Sequence, residues 1–317
     1  MESNEILSLL AEHYKLKGSL ISLAGELDLN YKLTIDNETA FIVKISRDPE
    51  TIASIPFQEA ILLYLKNSDF KGNIPALIPN IKGSYNSAID MNGEAGVLRL
   101  FQWMDGRLWS QTNPILSNLR YGLGNHLGQI AQSLQGFTHP FAQRSFEWDL
   151  SQCLWVTQHL HLFNTSELAL INPFISAFKT HQKTYNQLPK SVIHNDANDH
   201  NIIVSHALIQ PEIIGLIDYG DACYSQTIND LAIACTYGIM ATENPLAACL
   251  PIVKGYHESQ PLSEQELLHL YHLIGMRLVV SLTKAAMNKK EHPENKYLFI
   301  SEKPAWELLE KWREISD

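Results

Sequence analysis

The chain is poor in cysteine and in basic residues, and it has no long hydrophobic run. Its 317 residues include four cysteines, Cys153, Cys223, Cys235 and Cys249, none of them in a CxxC pair. That count excludes a disulfide framework and a zinc ribbon as the basis of the fold, and a reducing cytoplasm is the expected setting. No segment has the pattern of a membrane span or a secretory leader, so no membrane partner is expected. Lysine and arginine total 24 against 34 aspartates and glutamates, a formal net charge of −10. Such acidity argues against a nucleic-acid partner and suits a cationic small molecule. Internal repeats and low-complexity tracts are also missing, and residues 67–73, NSDFKGN, read as a turn-rich connector. With 45% hydrophobic residues, the chain can bury a substantial core in one bilobal unit or two small domains.

What is present is concentrated in one stretch. Residues 192–204, VIHNDANDHNIIV, contain His-x-Asp-x-x-x-x-Asn as His194, Asp196 and Asn201, and residues 215–221, GLIDYGD, place Asp218 after an apolar run and before Tyr-Gly. These are the spacings of a kinase catalytic loop and metal-binding loop. Phosphoryl transfer requires an acceptor hydroxyl held in line and phosphate charge neutralised, so a carboxylate must face the hydroxyl and hard oxygens must face a metal. Asp196 is expected to orient the hydroxyl and take its proton. Asn201 and Asp218 are expected to ligate Mg2+, which takes few protein ligands and keeps several waters. Two short apolar strands joined by a turn at 206–211 would set Asn201 beside Asp218. His194 is expected to tie the catalytic loop to the Asp218 segment.

A nucleotide-binding lobe should precede this loop. Residues 5–14 have a helical period, and 20–27, 30–35 and 40–45 read as short antiparallel strands. Lys44 interrupts the apolar run of the third strand, so it needs a counter-charge, expected from the α and β phosphates of ATP or GTP and from Glu59 on a helix starting at Pro56. Gly25, between the first two strands, is the candidate for close approach to phosphate. Gln102, Trp103 and Met104 lie where a strand meets a turn, and the nucleotide base is expected to bond main-chain groups there.

From Arg107 onward the pattern is mainly helical, over 115–134, 148–163, 167–188, 263–289 and 303–315. Asp199 and Asp221 are candidates to bind an ammonium-bearing acceptor. Asp230 is read as a helix-start or loop-bracing carboxylate. Residues 122–128, GLGNHLG, imitate a dinucleotide loop but have the wrong spacing and sit in a helical pattern, so close helix packing explains them better. His194, His200 and His206 suggest zinc by count alone, while magnesium on Asn201 and Asp218 accounts for more residues. A Walker lysine motif is absent, which weighs against a P-loop kinase, and no Ala-Pro-Glu segment follows Asp218 as in protein kinases.

The segment from Asp196 to Tyr237 resembles the aminoglycoside phosphotransferase and choline kinase superfamily, whose signature is a His-Gly-Asp loop with a downstream Asn followed by Ile-Asp-Phe/Tyr-Gly. Within that superfamily the stretches His194–Asn201 and Gly220–Ala234 are most similar to the hydroxylysine kinases and to the kinase-like domain fused ahead of some class III aminotransferases. One departure is Asn195, where the superfamily usually has glycine, and asparagine tolerates the same backbone angles better than most residues. The resemblance implies an α+β, protein-kinase-like bilobal fold. A small N-terminal antiparallel-sheet lobe with helices would span 1–103, and a larger, mainly helical catalytic and acceptor lobe would span 104–317. It also implies hydroxylysine as acceptor, with homoserine, choline or an aminoglycoside as alternatives on the same fold. A non-catalytic kinase-like binding module is the reading of another class, although Asp196, Asn201 and Asp218 are all present.

Overall fold

Tyr31 and Leu33, and likewise Val43 and Ile45, stand two residues apart and are buried, as strands with one face on a core require. In the computed structural model, which describes residues 2–25, 27–36, 38–91, 93–295 and 299–315, they belong to β2 (Leu29–Ile35) and β3 (Thr39–Ser46). With β1 (Ser19–Leu23), β4 (Asn86–Met91) and β5 (Glu94–Gln102) they form a sheet of order β1-β2-β3-β5-β4, antiparallel at every pairing. Helix α1 (Glu2–Tyr14) lays Ile6, Leu10 and Tyr14 into the same core as Leu33, Val43, Leu98 and Leu100. β1 stops at Leu23, short of the expected 27.

Helix α2 (Pro49–Asn67) begins earlier than Pro56. Asp48 Oδ2 accepts the backbone N–H of Thr51 at 2.7 Å, an N-terminal cap that fixes the start and leaves Pro49 in the first turn, where its missing N–H costs nothing. Pro56 therefore lies inside the helix. These elements make one compact unit, comprising the chain up to Asn67 and Asn73–Asp105.

The second unit comprises Ser68–Gly72 and Gly106–Asp317. It holds a sheet of order β6-β8-β9, from β6 (Arg107–Leu108), β8 (Ile202–Val204) and β9 (Ile213–Leu216), and the pair β7 (Lys190–Ile193) with β10 (Cys223–Gln226). Around them lie α3 (Ser117–Ser133), α4 (Thr165–Tyr185), α5 (Ile228–Gly238), α6 (Pro245–Ser259), α7 (Glu264–Glu291) and α8 (Glu302–Arg313). α4 and α7 both open with capping boxes, Asn164 with Glu167 and Ser263 with Glu266. The stretch expected as a helix over 148–163 is a run of 3-10 turns, Leu150–Leu162. Its start is pinned by buried Asp149, which accepts Ser151 N–H at 2.9 Å and Ser225 Oγ–H at 2.7 Å. The small antiparallel-sheet unit and the mainly helical unit are those of a kinase-like fold.

Glycines set how closely α3 and α6 meet. A Cβ on Gly124 would stand 1.8 Å from the Ile252 carbonyl oxygen, and one on Gly255 would stand 2.0 Å from that of Tyr121. The GLGNHLG segment thus serves backbone-to-backbone helix packing. Gly124→Ala is expected to destabilise the protein by about 3 kcal/mol, because rigid main chain must move to admit the methyl group. A denaturant midpoint within error of wild type would refute this.

His126, on the same helix, is 7% exposed and packs edge-on against Phe70 at 5.4 Å. Burial, with a smaller contribution from His194, pushes its pKa down to about 4. The unfolded chain therefore binds more protons than the folded chain between about 6.5 and 4, and stability falls as pH drops through that window. Urea midpoints of wild type and His126→Phe at pH 7 and pH 5 should differ in slope, with wild type losing about 2 kcal/mol more on acidification. Equal losses would contradict the burial argument.

Candidate active site

The hairpin β8–β9 brings the two halves of the motif together. Ile217 N–H donates to Asn201 O at 2.9 Å, which holds Asn201 next to the residue preceding Asp218. Asn201 Nδ2 donates to Asp196 O at 3.0 Å and to Asp196 Oδ2 at 2.7 Å. Its amide hydrogens are thus committed to Asp196, and the amide oxygen is the atom left to bind a metal. Asp218 has φ of 63°, a left-handed conformation uncommon for a residue with a side chain, of the kind that concentrates at functional sites. A neutral amide oxygen and a carboxylate flanking the two strands of this hairpin make a hard-oxygen donor set of the kind that fits Mg2+. Among the described residues no group of three or more His, Cys, Asp or Glu is placed to hold a metal ion.

Asp196 is fixed from several sides. Oδ2 accepts Asn198 Nδ2 at 2.9 Å as well as Asn201, and Oδ1 lies 3.1 Å from Arg277 Nη2. A carboxylate held by three donors keeps one orientation, which is what an in-line acceptor needs. Arg277 is 1% exposed, donates to Trp148 O at 3.3 Å and stacks over the Trp148 ring at 4.6 Å. Burying a guanidinium is tolerable here because it meets both a carboxylate and an aromatic face.

The loop is braced from behind. His194 is fully buried, its Nε2 donates to Ile217 O at 3.0 Å, and its Nδ1 accepts Asp196 N–H at 3.2 Å. That pair of bonds assigns the neutral tautomer with the proton on Nε2. Burial lowers its pKa to about 4 despite the nearby charge of Asp218. Asp230, in the first turn of α5 and 1% exposed, accepts His194 N–H at 2.9 Å and Asn195 N–H at 2.6 Å. Burial lifts its pKa to about 6, with these two bonds pulling the other way. Asn195 has φ of 66°, the left-handed backbone for which glycine is usual. Its buried amide has no hydrogen-bond partner on either atom.

Of the acceptor candidates, Asp199 lies 3.2 Å from His200 Nδ1 and its carbonyl accepts Ser110 N–H at 2.9 Å. The hydrogen bond from Asp199 raises the His200 pKa. Asp221 keeps 37% of its side chain open and lies 3.9 Å from Arg144 Nη2. Burial of the rest, together with the charge of Asp196, raises its pKa.

In the sheet unit, Lys44 and Arg99 face one another across β3 and β5. Asp28 Oδ2 lies 3.7 Å from Lys44 Nζ and 3.5 Å from Arg99 Nη2, so one loop carboxylate serves two cations. Arg99 also donates to Gln58 Oε1 at 2.8 Å. Glu59 accepts Asn86 Nδ2 at 2.9 Å. Gly25 is closely packed, since a Cβ there would stand 2.2 Å from Asn30 Nδ2. The amides of Gln102 and Trp103 donate to Ala76 O and Ala40 O at 2.9 and 3.1 Å, and Lys32 Nζ sits 4.1 Å over the Trp103 ring. A base at this segment would have to find other main-chain atoms, around Met104, and the second face of the indole.

The sequence reading missed Arg277, Arg144, Trp148, Asn198, Asp28 and Arg99. Arg277 carried a usable signal, a single charge inside the apolar run 273–282, LIGMRLVVSL. Arg144 lies in irregular chain between short turns and carried none.

A sheet unit with a partly buried lysine, Lys44, and a helical unit with an oriented Asp-Asn-Asp loop are features of a small-molecule kinase. A profile of the phosphotransferase enzyme family, APH, matches residues 20–257, and the chain belongs to that family, an alcohol-group phosphotransferase. It is 26% identical over 299 residues to hydroxylysine kinase of Mus musculus, covering 88% of this chain and 78% of the mouse protein. To hydroxylysine kinase of Danio rerio it is 23% identical over 334 residues, covering 99% of this chain and 92% of the other. Among solved structures, a microcompartment-associated aminopropanol kinase superposes with a TM-score of 0.75 at 20% identity, over 98% of this chain and 97% of that one. Amicoumacin kinase in complex with AMP-PNP, Ca2+ and Ami superposes with a TM-score of 0.71 at 17% identity, over 98% of this chain and 94% of that one. These superpositions carry the fold. No helix among the described residues is long and apolar enough to cross a membrane.

Proposed function

We propose that the protein transfers the γ-phosphoryl group of ATP or GTP to a hydroxyl of an amino-acid-like acceptor, hydroxylysine foremost. The observation that carries the chemistry is the Asp196 carboxylate, held by Asn198, Asn201 and Arg277 one hydrogen bond from the Asn201–Asp218 pair. Asp196 receives the acceptor hydroxyl and aligns its oxygen with the γ-phosphorus. As the new O–P bond forms, the bond to the β–γ bridging oxygen breaks, the hydroxyl proton passes to Asp196, and the nucleoside diphosphate leaves. Bound magnesium would supply charge neutralisation on the β and γ phosphates, with Asn201 Oδ1 and the Asp218 carboxylate as its protein ligands. Lys44 serves the α and β phosphates with Glu59 in support, and Gly25 lets main chain approach phosphate. The base is served at the Gln102–Met104 segment by main-chain atoms around Met104 and the second face of the Trp103 indole, the Gln102 and Trp103 amides being already bonded. Asp199 and Asp221 are assigned to the acceptor, and His194 and Asp230 to holding the loop.

Hydroxylysine is favoured because four curated relatives, at 23–26% identity and covering 85–99% of this chain, are hydroxylysine kinases. The test is purified protein with Mg2+, ATP or GTP, and a panel of hydroxylysine, homoserine, choline, aminopropanol and an aminoglycoside. Hydroxylysine should give the highest kcat/KM. Turnover of another acceptor without hydroxylysine would sink the assignment, and no turnover of any would favour a binding module.

A further inference from the structure

Two arginines adjoin the catalytic loop, and they differ in what they have left to offer. Arg277 is 1% exposed and its terminal nitrogens are engaged with Asp196 and Trp148. Arg144 keeps 15% of its side chain open. Its Nη2 donates to Gly220 O at 2.6 Å and stands 3.9 Å from Asp221 Oδ1. Nε is buried without a partner, and Nη1 makes no hydrogen bond in the described structure. Phe146 lies under the guanidinium at 4.3 Å and Phe141 at 5.8 Å, so the fork is held in plane with one terminal nitrogen unspent. Guanidinium is the group best matched to a carboxylate, and an unspent donor of this kind has no use for a purely cationic acceptor.

We infer that Arg144 and Asp221 together read the α-amino-acid head of the acceptor, Arg144 Nη1 taking its carboxylate and Asp221 its ammonium group. In such a head the two charges are separated by one carbon, and the pair stands 3.9 Å apart with the opposite order of charge. Asp221 is three residues from Asp218, in the turn whose Gly220 carbonyl Arg144 holds. The clip is therefore built onto the same segment as the metal carboxylate. The raised pKa of Asp221 fits a carboxylate that lacks a full counter-charge until a cation arrives. The inference rests on the amino-acid kinase reading and narrows it: an amino alcohol without a carboxylate forfeits one of the two contacts.

The test compares 5-hydroxylysine with the diamino alcohol left when its carboxylate is removed, using the full-length protein with Mg2+ and the preferred nucleotide. Wild type should favour hydroxylysine in kcat/KM by about 30-fold, the order expected for one charge-assisted contact. Arg144→Gln should remove that preference mainly through KM for hydroxylysine and leave the diamino alcohol within about threefold, and Arg144→Lys should restore part of it. Asp221→Asn should raise KM for both acceptors. Equal wild-type kinetics on the two acceptors overturns the inference without any variant. Equal losses on both in Arg144→Gln also overturn it and make Arg144 a brace for the Gly220 turn. Turnover of neither acceptor by wild type overturns the amino-acid kinase reading and this inference with it.

Discussion

Asp196→Asn is expected to lower kcat by about a thousandfold with saturating nucleotide and acceptor, the range lost when a positioned base is removed. Asparagine fills the same space and offers an oxygen to Arg277, so the backbone of the loop should survive. The amide cannot accept the hydroxyl proton. It also turns an N–H2 group toward donors that now reach Asp196 Oδ2, Asn198 and Asn201. Arg277, 1% exposed, would face a neutral oxygen in place of a carboxylate, and a fall of a few degrees in Tm should accompany the loss of rate. Nucleotide affinity is the control, since Asp196 is assigned to the acceptor, and Kd for the nucleotide should stay within about threefold of wild type. A kcat within tenfold of wild type would remove Asp196 from the role of base.

The largest expected loss of stability follows from Asp230→Ala. Asp230 accepts the main-chain N–H groups of His194 and Asn195 from within the protein, and alanine would leave both buried and unpaired. Each orphaned donor costs about 1–3 kcal/mol, so about 4 kcal/mol is expected in all. kcat should also fall at least tenfold, because the turn these bonds shape is the one that aims Asp196. Asp230→Asn retains one accepting oxygen and should lie between alanine and wild type. Chemical denaturation with parallel rate measurements decides the matter. An alanine variant within about 1 kcal/mol of wild type would show that water satisfies these amides and that the brace is dispensable.

The loop was legible because phosphoryl transfer constrains residues that are close in sequence: the proposed base, metal amide and metal carboxylate all fall within 196–218, and the β8–β9 hairpin joins the two segments that carry them. Lys44 was legible for another reason, as a charge where an apolar period predicts none. The same argument applies to Arg277, but its run lies in a long helix, where a lone arginine is easily assigned to the solvent face. Arg144 and Asp28 occupy irregular chain, where no period exists to be broken, and their partners are far away in sequence. The 3-10 run at Leu150–Leu162 reads as an α-helix in sequence because its buried Leu150, Cys153 and Val156 recur every three residues, a spacing that also falls on one face of an α-helix. Proline favours the first helical turn, which points to Pro56 as a start, yet Asp48 and Pro49 supply a better one and the helix continues through Pro56.

The glycine contact between α3 and α6 has a kinetic counterpart. Helices that meet through main-chain atoms cannot loosen singly, since either one leaving strips the other of its packing along the shared seam. Amide protons of residues near Gly124 and near Gly255 should therefore exchange with solvent deuterium at a common rate, as a single cooperative opening.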